Sequence, residues 1–294
     1  MLDPFILSIL FLAITTALAC ALPGVFIVLR GQAMLIDGIG HAAFPGIAVG
    51  YLLTHDLQSP LLVVGAAASG LVVVWGAQWL ENTGLITGDA PLGLIFPALF
   101  AGGVLIVSGK FSDVHLDTHI ALVGDLNLVA FTGPHYGVLM GIIFLLNTLF
   151  LGIFYRPLKT STFDPEYAQM LGTPRWLNGA FMFLVAVTVT AAFNAAGALL
   201  VLALIVSPAA TAQIFSTRLP QMIAWTLLIA VLGAIGGFVV AYYADLSTSS
   251  AMAAFYGTLF FGVLLAHRIR SNRINMANAD SPIDTIGTAT ATGR

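Results

Sequence analysis

Long apolar runs, each close to the length needed to cross lipid, dominate this sequence and leave room for little else. One crossing takes roughly 20 mostly apolar residues at about 1.5 Å rise per residue. Nine such runs can be drawn, at about 5–29, 34–53, 60–80, 91–108, 134–155, 176–194, 197–216, 221–243 and 250–267. The composition agrees: of 294 residues, 59% are hydrophobic and 8% charged, whereas a soluble domain carries about a quarter charged residues. The chain is therefore read as an all-α polytopic membrane protein with about nine transmembrane helices. The break at Asn194-Ala-Ala-Gly197 is the weakest. Residues 176–216 form either two spans joined by a tight turn or a span followed by a half-helix, so eight to ten crossings fit.

The first run is read as a retained span. Met1-Leu-Asp-Pro4 has no basic segment, and the run to Leu29 exceeds the apolar stretch of a signal peptide. Ala17-Leu-Ala-Cys20 resembles a lipoprotein cleavage box only superficially, and Cys20 is expected to pack inside a helix. A single cysteine permits no intrachain disulfide and no Cys-based zinc site. Any metal must use His and carboxylates. The 10 Lys and Arg are too scattered for a phosphate-binding face, so no nucleic-acid partner is expected.

Basic residues set the orientation, because cytoplasmic loops collect them. With nine crossings and the N-terminus outside, Arg30, Arg156, Lys159, Arg175, Arg218, Arg268, Arg270 and Arg273 all fall on the cytoplasmic side, and Lys110 falls outside. The C-terminus is then cytoplasmic. Residues 1–270 read as one transmembrane domain with a cytoplasmic region at about 160–175. Residues 271–294, rich in Ser, Thr, Asn and Gly, read as a disordered polar tail dispensable for the chemistry. Small residues at 65–70 and 233–237 predict close helix packing, which in lipid supplies an attraction the hydrophobic effect does not.

The most informative stretch is Arg30-Gly-Gln-Ala-Met-Leu-Ile-Asp37-Gly-Ile-Gly-His41-Ala-Ala-Phe-Pro45-Gly46. Asp37 and His41 are four apart, on one helical face. A carboxylate at the bilayer centre costs on the order of 2.5–3.5 kcal/mol on insertion scales, so the pair calls for a polar cavity or a ligand. Pro45-Gly46 just beyond loosens the helix where backbone lines a cavity. Oxygen plus imidazole nitrogen suits Mn²⁺, Fe²⁺ or Zn²⁺. The competing reading is an Asp–His hydrogen bond that only pins this helix to a neighbour, and spacing alone leaves both open.

Three further features are weighed. Asp245, between the last two spans, is a further candidate oxygen ligand, although aspartates beside Ser and Thr more often cap the next helix. The external segment holds His115 and His119 with Asp113, Asp117 and Asp125; such exposed groups are more often solvated or at a protein contact than in a metal site. His55, His135 and His267 sit at span ends and receive no role. In the cytoplasmic loop, Asp164-Pro165-Glu166 starts a helix with a cap, a proline and acidic charge at the positive dipole end, and Gly172 and Pro174 stop it. A plain connector needs none of that, so this short helix is read as a docking element for another protein.

Nucleotide chemistry is not expected in this chain. Gly109-Lys110 has Val104 where a phosphate loop needs Gly and Phe111 where it needs Ser or Thr. Neither HExxH nor GxSxG occurs.

Taken together, these segments resemble the ABC-3 metal permeases, the membrane subunits of bacterial ATP-driven importers for manganese, zinc or iron. Asp37-Gly-Ile-Gly-His41-Ala-Ala-Phe-Pro-Gly46 resembles the family's D-x-x-S-H-A-x-x-P-G segment, with Gly40 in place of its Ser. Gly88-Asp-Ala-Pro-Leu-Gly93 with Phe100–Ser108, Phe163-Asp-Pro-Glu166 through Leu171-Gly172, and Gly197–Val201 through Pro208–Ala212 resemble its later segments. The resemblance implies a permease-like bundle in the bacterial cytoplasmic (inner) membrane. It places Asp37 and His41 on the cation pathway and docks the 163–172 helix, through Asp164, Pro165, Glu166, Leu171 and Gly172, on an ATPase subunit. It further implies a homodimer, two copies of that separate ATPase and an extracytoplasmic metal-binding protein. The chain itself is then no enzyme, and it holds no permanent cofactor, only the transported ion, with manganese favoured. The competing class is a stand-alone secondary metal-ion transporter or channel, which needs a relay of several buried carboxylates, and Asp37 is the one strong mid-span acid.

Overall fold

Turn residues and caps close the apolar runs where the sequence places them. The computed structural model describes residues 4–56, 59–86, 88, 90–110, 126, 129, 135–174 and 176–279. Among these, helices α1 to α4 span Pro4–Leu29, Ala33–Thr54, Pro60–Asn82 and Ala90–Lys110. Helices α5 to α7 span His135–Ile153, Tyr155–Phe163 and Pro165–Met170. The last four, α8 to α11, span Trp176–Ala196, Ala198–Phe215, Leu219–Ala244 and Thr248–Ala279. The described residues contain no strand.

Eight of these helices, all the long ones except α3, are long and apolar enough to cross a bilayer. Helix α3 has 23 residues, the length of a crossing, and Glu81 as its one charged residue. The chain is thus a multi-pass helical membrane bundle of the expected size. Where the sequence left two options, Gly197 decides: at φ 80°, ψ 162° it breaks the chain between α8 and α9, in a region open essentially to glycine alone. Helix α9 then leaves α8 and packs chiefly against α1, α10 and α11. At the far end, α11 continues to Ala279, so residues 271–279 are helical where an unstructured tail was expected. Residues 280–294 lie outside the described residues.

Helix α1, at 26 residues about 39 Å long, is the central post. It packs against α5, α8, α9 and α10, and Ala17, Cys20, Val25, Phe26 and Ile27 are fully buried in it. Helices α2, α3 and α4 form a second group, joined to the first through α8. Small residues set both groups, as expected from the sequence. A Cβ on Gly46 or on Gly65 would strike the other's carbonyl oxygen, so α2 and α3 touch backbone to backbone. Tyr256 of α11 lies over Gly233 of α10 and donates its hydroxyl to the Ala230 carbonyl. Polar ties are few but buried: the Asn147 side-chain amide donates to the Ala19 carbonyl at 3.3 Å and to the Thr188 hydroxyl at 3.0 Å.

Candidate metal pathway and cytoplasmic docking face

Helix α2 is apolar except for one step of its surface. Asp37 and His41 stand one turn apart there, with His41 Nε2 3.6 Å from Asp37 Oδ1. That separation exceeds a direct hydrogen bond. The two side chains keep 37% and 35% of their surface, and among the described residues no polar bond ties either to another helix. Both groups lie on the same helix, partly exposed, so the described residues give the pinning alternative no support.

Two aromatic rings from α4 frame the imidazole. Phe96 stacks on His41 at 5.6 Å between centroids with 18° between planes, and Phe100 meets it edge-on at 6.0 Å. Phe44 in turn packs on Phe100 at 5.4 Å. Below them α2 is held rigidly despite its proline. Gly103 of α4 sits against Pro45, and the Ser69 hydroxyl of α3 donates to the Ala42 carbonyl. Sequence reasoning missed these rings, although Phe96 and Phe100 share the four-residue spacing of the pair they face.

One carboxylate oxygen and one imidazole nitrogen are fewer donors than a divalent transition metal takes. No group of three or more His, Cys, Asp or Glu able to hold an ion exists among the described residues. Asp245 does not join the pair. It closes α10 in the left-handed conformation, φ 55°, its N–H bonded to the Ala241 carbonyl, and α10 packs chiefly on α1, α9 and α11 rather than on α2. It ends the preceding helix instead of starting the next, because the chain reverses before Thr248 begins α11. Asp89, Asp113, His115, Asp117, His119, Asp125 and Arg175 lie outside the described residues.

The short helix foreseen from Asp164-Pro165-Glu166 is α7. The Asp164 carboxylate accepts the Tyr167 N–H at 2.9 Å, Pro165 is the first helical residue, and Gly172 ends the turn at φ 74°. Ala168 is buried beneath it, while Met170 is 84% exposed and Leu171 61%. Apolar side chains held this openly outside the long helices are left uncovered by the rest of the chain, which makes this helix a candidate docking face. The sequence did not reveal the second short helix, α6, directly before it.

Arg30, counted from the sequence only as a basic residue, proves to be a structural node. Its Nε donates to the Thr162 hydroxyl at 3.1 Å, one terminal nitrogen to Asn178 Oδ1 at 2.5 Å and the other to the Ser161 hydroxyl at 3.3 Å. The guanidinium carbon also lies 4.8 Å from the Phe181 ring centre. Burial lowers its pKa to about 10, which leaves it cationic at neutral pH. A cavity of about 670 Å³ opens beside it, bordered by Gln78, Glu81, Pro165, Gln169 and Asn178.

A multi-pass helical bundle with a framed Asp/His step on one helix and a short capped helix outside the long ones fits a membrane transport protein. The chain belongs to the ABC 3 transport family, whose model matches residues 2–267. It is 38% identical over 268 residues to the zinc transport system membrane protein TroD of Treponema pallidum, covering 88% of this chain and 73% of that one. It is 33% identical to the manganese transport system membrane protein MntD of Bacillus subtilis, covering 86% and 88%. The chelated iron transport system membrane protein YfeD of Yersinia pestis is 26% identical, covering 91% and 87%. In fold, the chain is similar to a chain of PsaBC from Streptococcus pneumoniae, solved in complex with Fab, with TM-score 0.73, 22% identity and coverage of 89% and 91%.

Proposed function

We propose that this chain is the permease subunit of an ATP-driven importer for divalent transition-metal ions, manganese favoured and zinc or iron next, in a bacterial cytoplasmic membrane. The single observation that carries this reading is the half-exposed Asp37/His41 step on α2. A carboxylate left against lipid costs on the order of 2.5–3.5 kcal/mol, so that face is expected to be covered by water and by protein. A second copy of the chain supplies both: facing α2 helices contribute two more donors, which makes a transient site for an ion. Few, open ligands suit transit, since a closed cage would hold the ion.

ATP hydrolysis belongs to a separate subunit, two copies per dimer, docked on α7 through the Asp164–Gly172 segment. An extracytoplasmic binding protein delivers the ion at the opposite face. Hydrolysis moves α7, and the pathway alternates between the two sides while Asp37 and His41 hold the ion. An outside N-terminus is supported by Arg30, whose bonds to Ser161 and Thr162 of α6 and Asn178 of α8 gather the α1–α2 turn and the chain on either side of the docking helix on one basic side. Asp245, at the other end of α10, is kept only as an outer contact for the arriving ion.

Alanine at Asp37 or at His41, in a complex that still assembles, is expected to abolish manganese uptake into vesicles. Normal uptake in both variants rejects the assignment. Uptake by the permease alone, driven by an ion gradient without ATP, would instead favour a secondary transporter.

A further inference from the structure

We infer that Arg30 is the positioning residue through which movement of the docking helix reaches the Asp37/His41 step. This rests on the reading of α7 as the ATPase contact.

The connection is short and made of hydrogen bonds. Helix α7 follows α6 with only Asp164 between them. Ser161 and Thr162, in the last turn of α6, both hold the Arg30 guanidinium, and Asn178 and Phe181 hold it from the start of α8. Arg30 itself sits in the three-residue turn between α1 and α2, pinned by its own N–H to the Phe26 carbonyl at 3.0 Å, with the Gln32 N–H bonded to Ile27 at 3.0 Å. Helix α2 begins at Ala33. Asp37 lies about 6 Å further along it, at about 1.5 Å per residue. A displacement of α6 therefore meets the start of the ion-handling helix after one side chain.

The chemistry of the contact suits transmission better than simple anchoring. Among the described residues no carboxylate lies within 4.0 Å of Arg30. The cation is held by neutral oxygens and a ring, each in a fixed direction, and a planar fork enforces such directions where a lone ammonium does not. The cavity beside Arg30 reaches Pro165 and Gln169 of α7 on one side and Gln78 and Glu81 of α3 on the other. That space lets α6 and α7 shift toward α3 without unpacking the bundle, and Arg30 shifts with them.

The test uses the full complex in proteoliposomes, with the ATPase subunit and a manganese-loaded extracytoplasmic protein, and reads manganese taken up per ATP hydrolysed. Arg30→Lys keeps the charge and loses the fork. Assembly and ATP hydrolysis are expected to persist, while ions moved per ATP fall about tenfold. Thr162→Val and Asn178→Leu leave Arg30 in place and remove one of its bonds each, and are expected to lower the same ratio a few-fold. An unchanged ratio in all three variants overturns the inference. So does a parallel loss of assembly, hydrolysis and uptake in all three, which marks a purely structural node. If Arg30→Lys alone fails to fold, the Thr162 and Asn178 variants decide. A wild-type complex whose uptake ignores ATP overturns the importer reading itself, a result readable before any variant is made.

Discussion

At the scale of single residues, the Asp37/His41 step combines a pair visible in the sequence with a frame that was not. Asp37 and His41 share a face by helical spacing alone. The rings around His41 do not follow from any local rule, because Phe96 and Phe100 reach it across the α2–α4 contact. The stacking is oriented, and aromatic contacts of this kind contribute about 0.5–1.5 kcal/mol. Phe96→Leu is therefore expected to preserve expression and assembly while lowering manganese uptake several-fold, measured as initial rate at limiting ion concentration. An unaltered rate would mean that the imidazole is positioned without the ring. Arg30 teaches the same lesson: its three hydrogen-bond partners lie 131 to 148 residues further along the chain, beyond the reach of any spacing argument.

At the scale of helices, legibility depends on what forces the pattern. Lipid demands a fixed apolar length, so the membrane-crossing runs were readable within a few residues. Helix α7 was readable because its cap, proline and terminating glycine are local signals. Tyr155–Phe163 holds Arg156, Lys159, Thr160, Ser161 and Thr162 with only Leu158 fully buried, so it reads as loop until its neighbours are known. Two outcomes test the local signals. Asp164→Ala removes the bond to the Tyr167 N–H and is expected to cost about 1 kcal/mol in a helix of six residues. Recovery of the ATPase subunit by pull-down should fall accordingly, with the bundle intact by thermal denaturation in detergent. Gly197→Ala forces a side chain into a glycine-only conformation at about 1–3 kcal/mol, and its denaturation midpoint should drop while a change at the neighbouring Ala198→Gly does less.

At the scale of the whole molecule, the two helix groups have different tasks. The α1-centred group is sealed by large buried side chains, whereas the α2–α3–α4 group carries the open polar step and borders the cavity beside α7. If ligands from two copies meet around one ion, a complex with one Asp37→Ala copy and one normal copy should transport far less than half as well as the wild type. Activity near one half would show that each copy works alone. Removal of residues 280–294 is expected to leave uptake unchanged in the same vesicle assay, since α7, the Arg30 node and the Asp37/His41 step all lie upstream.

Cys20, the chain's one sulfhydryl, is fully enclosed within α1. That makes the natural protein a silent background for site-specific reporters. A thiol introduced on α7, in the cavity or beside Asp37 would carry the only accessible label, so the opening and closing of each side could be timed separately without first rebuilding the molecule.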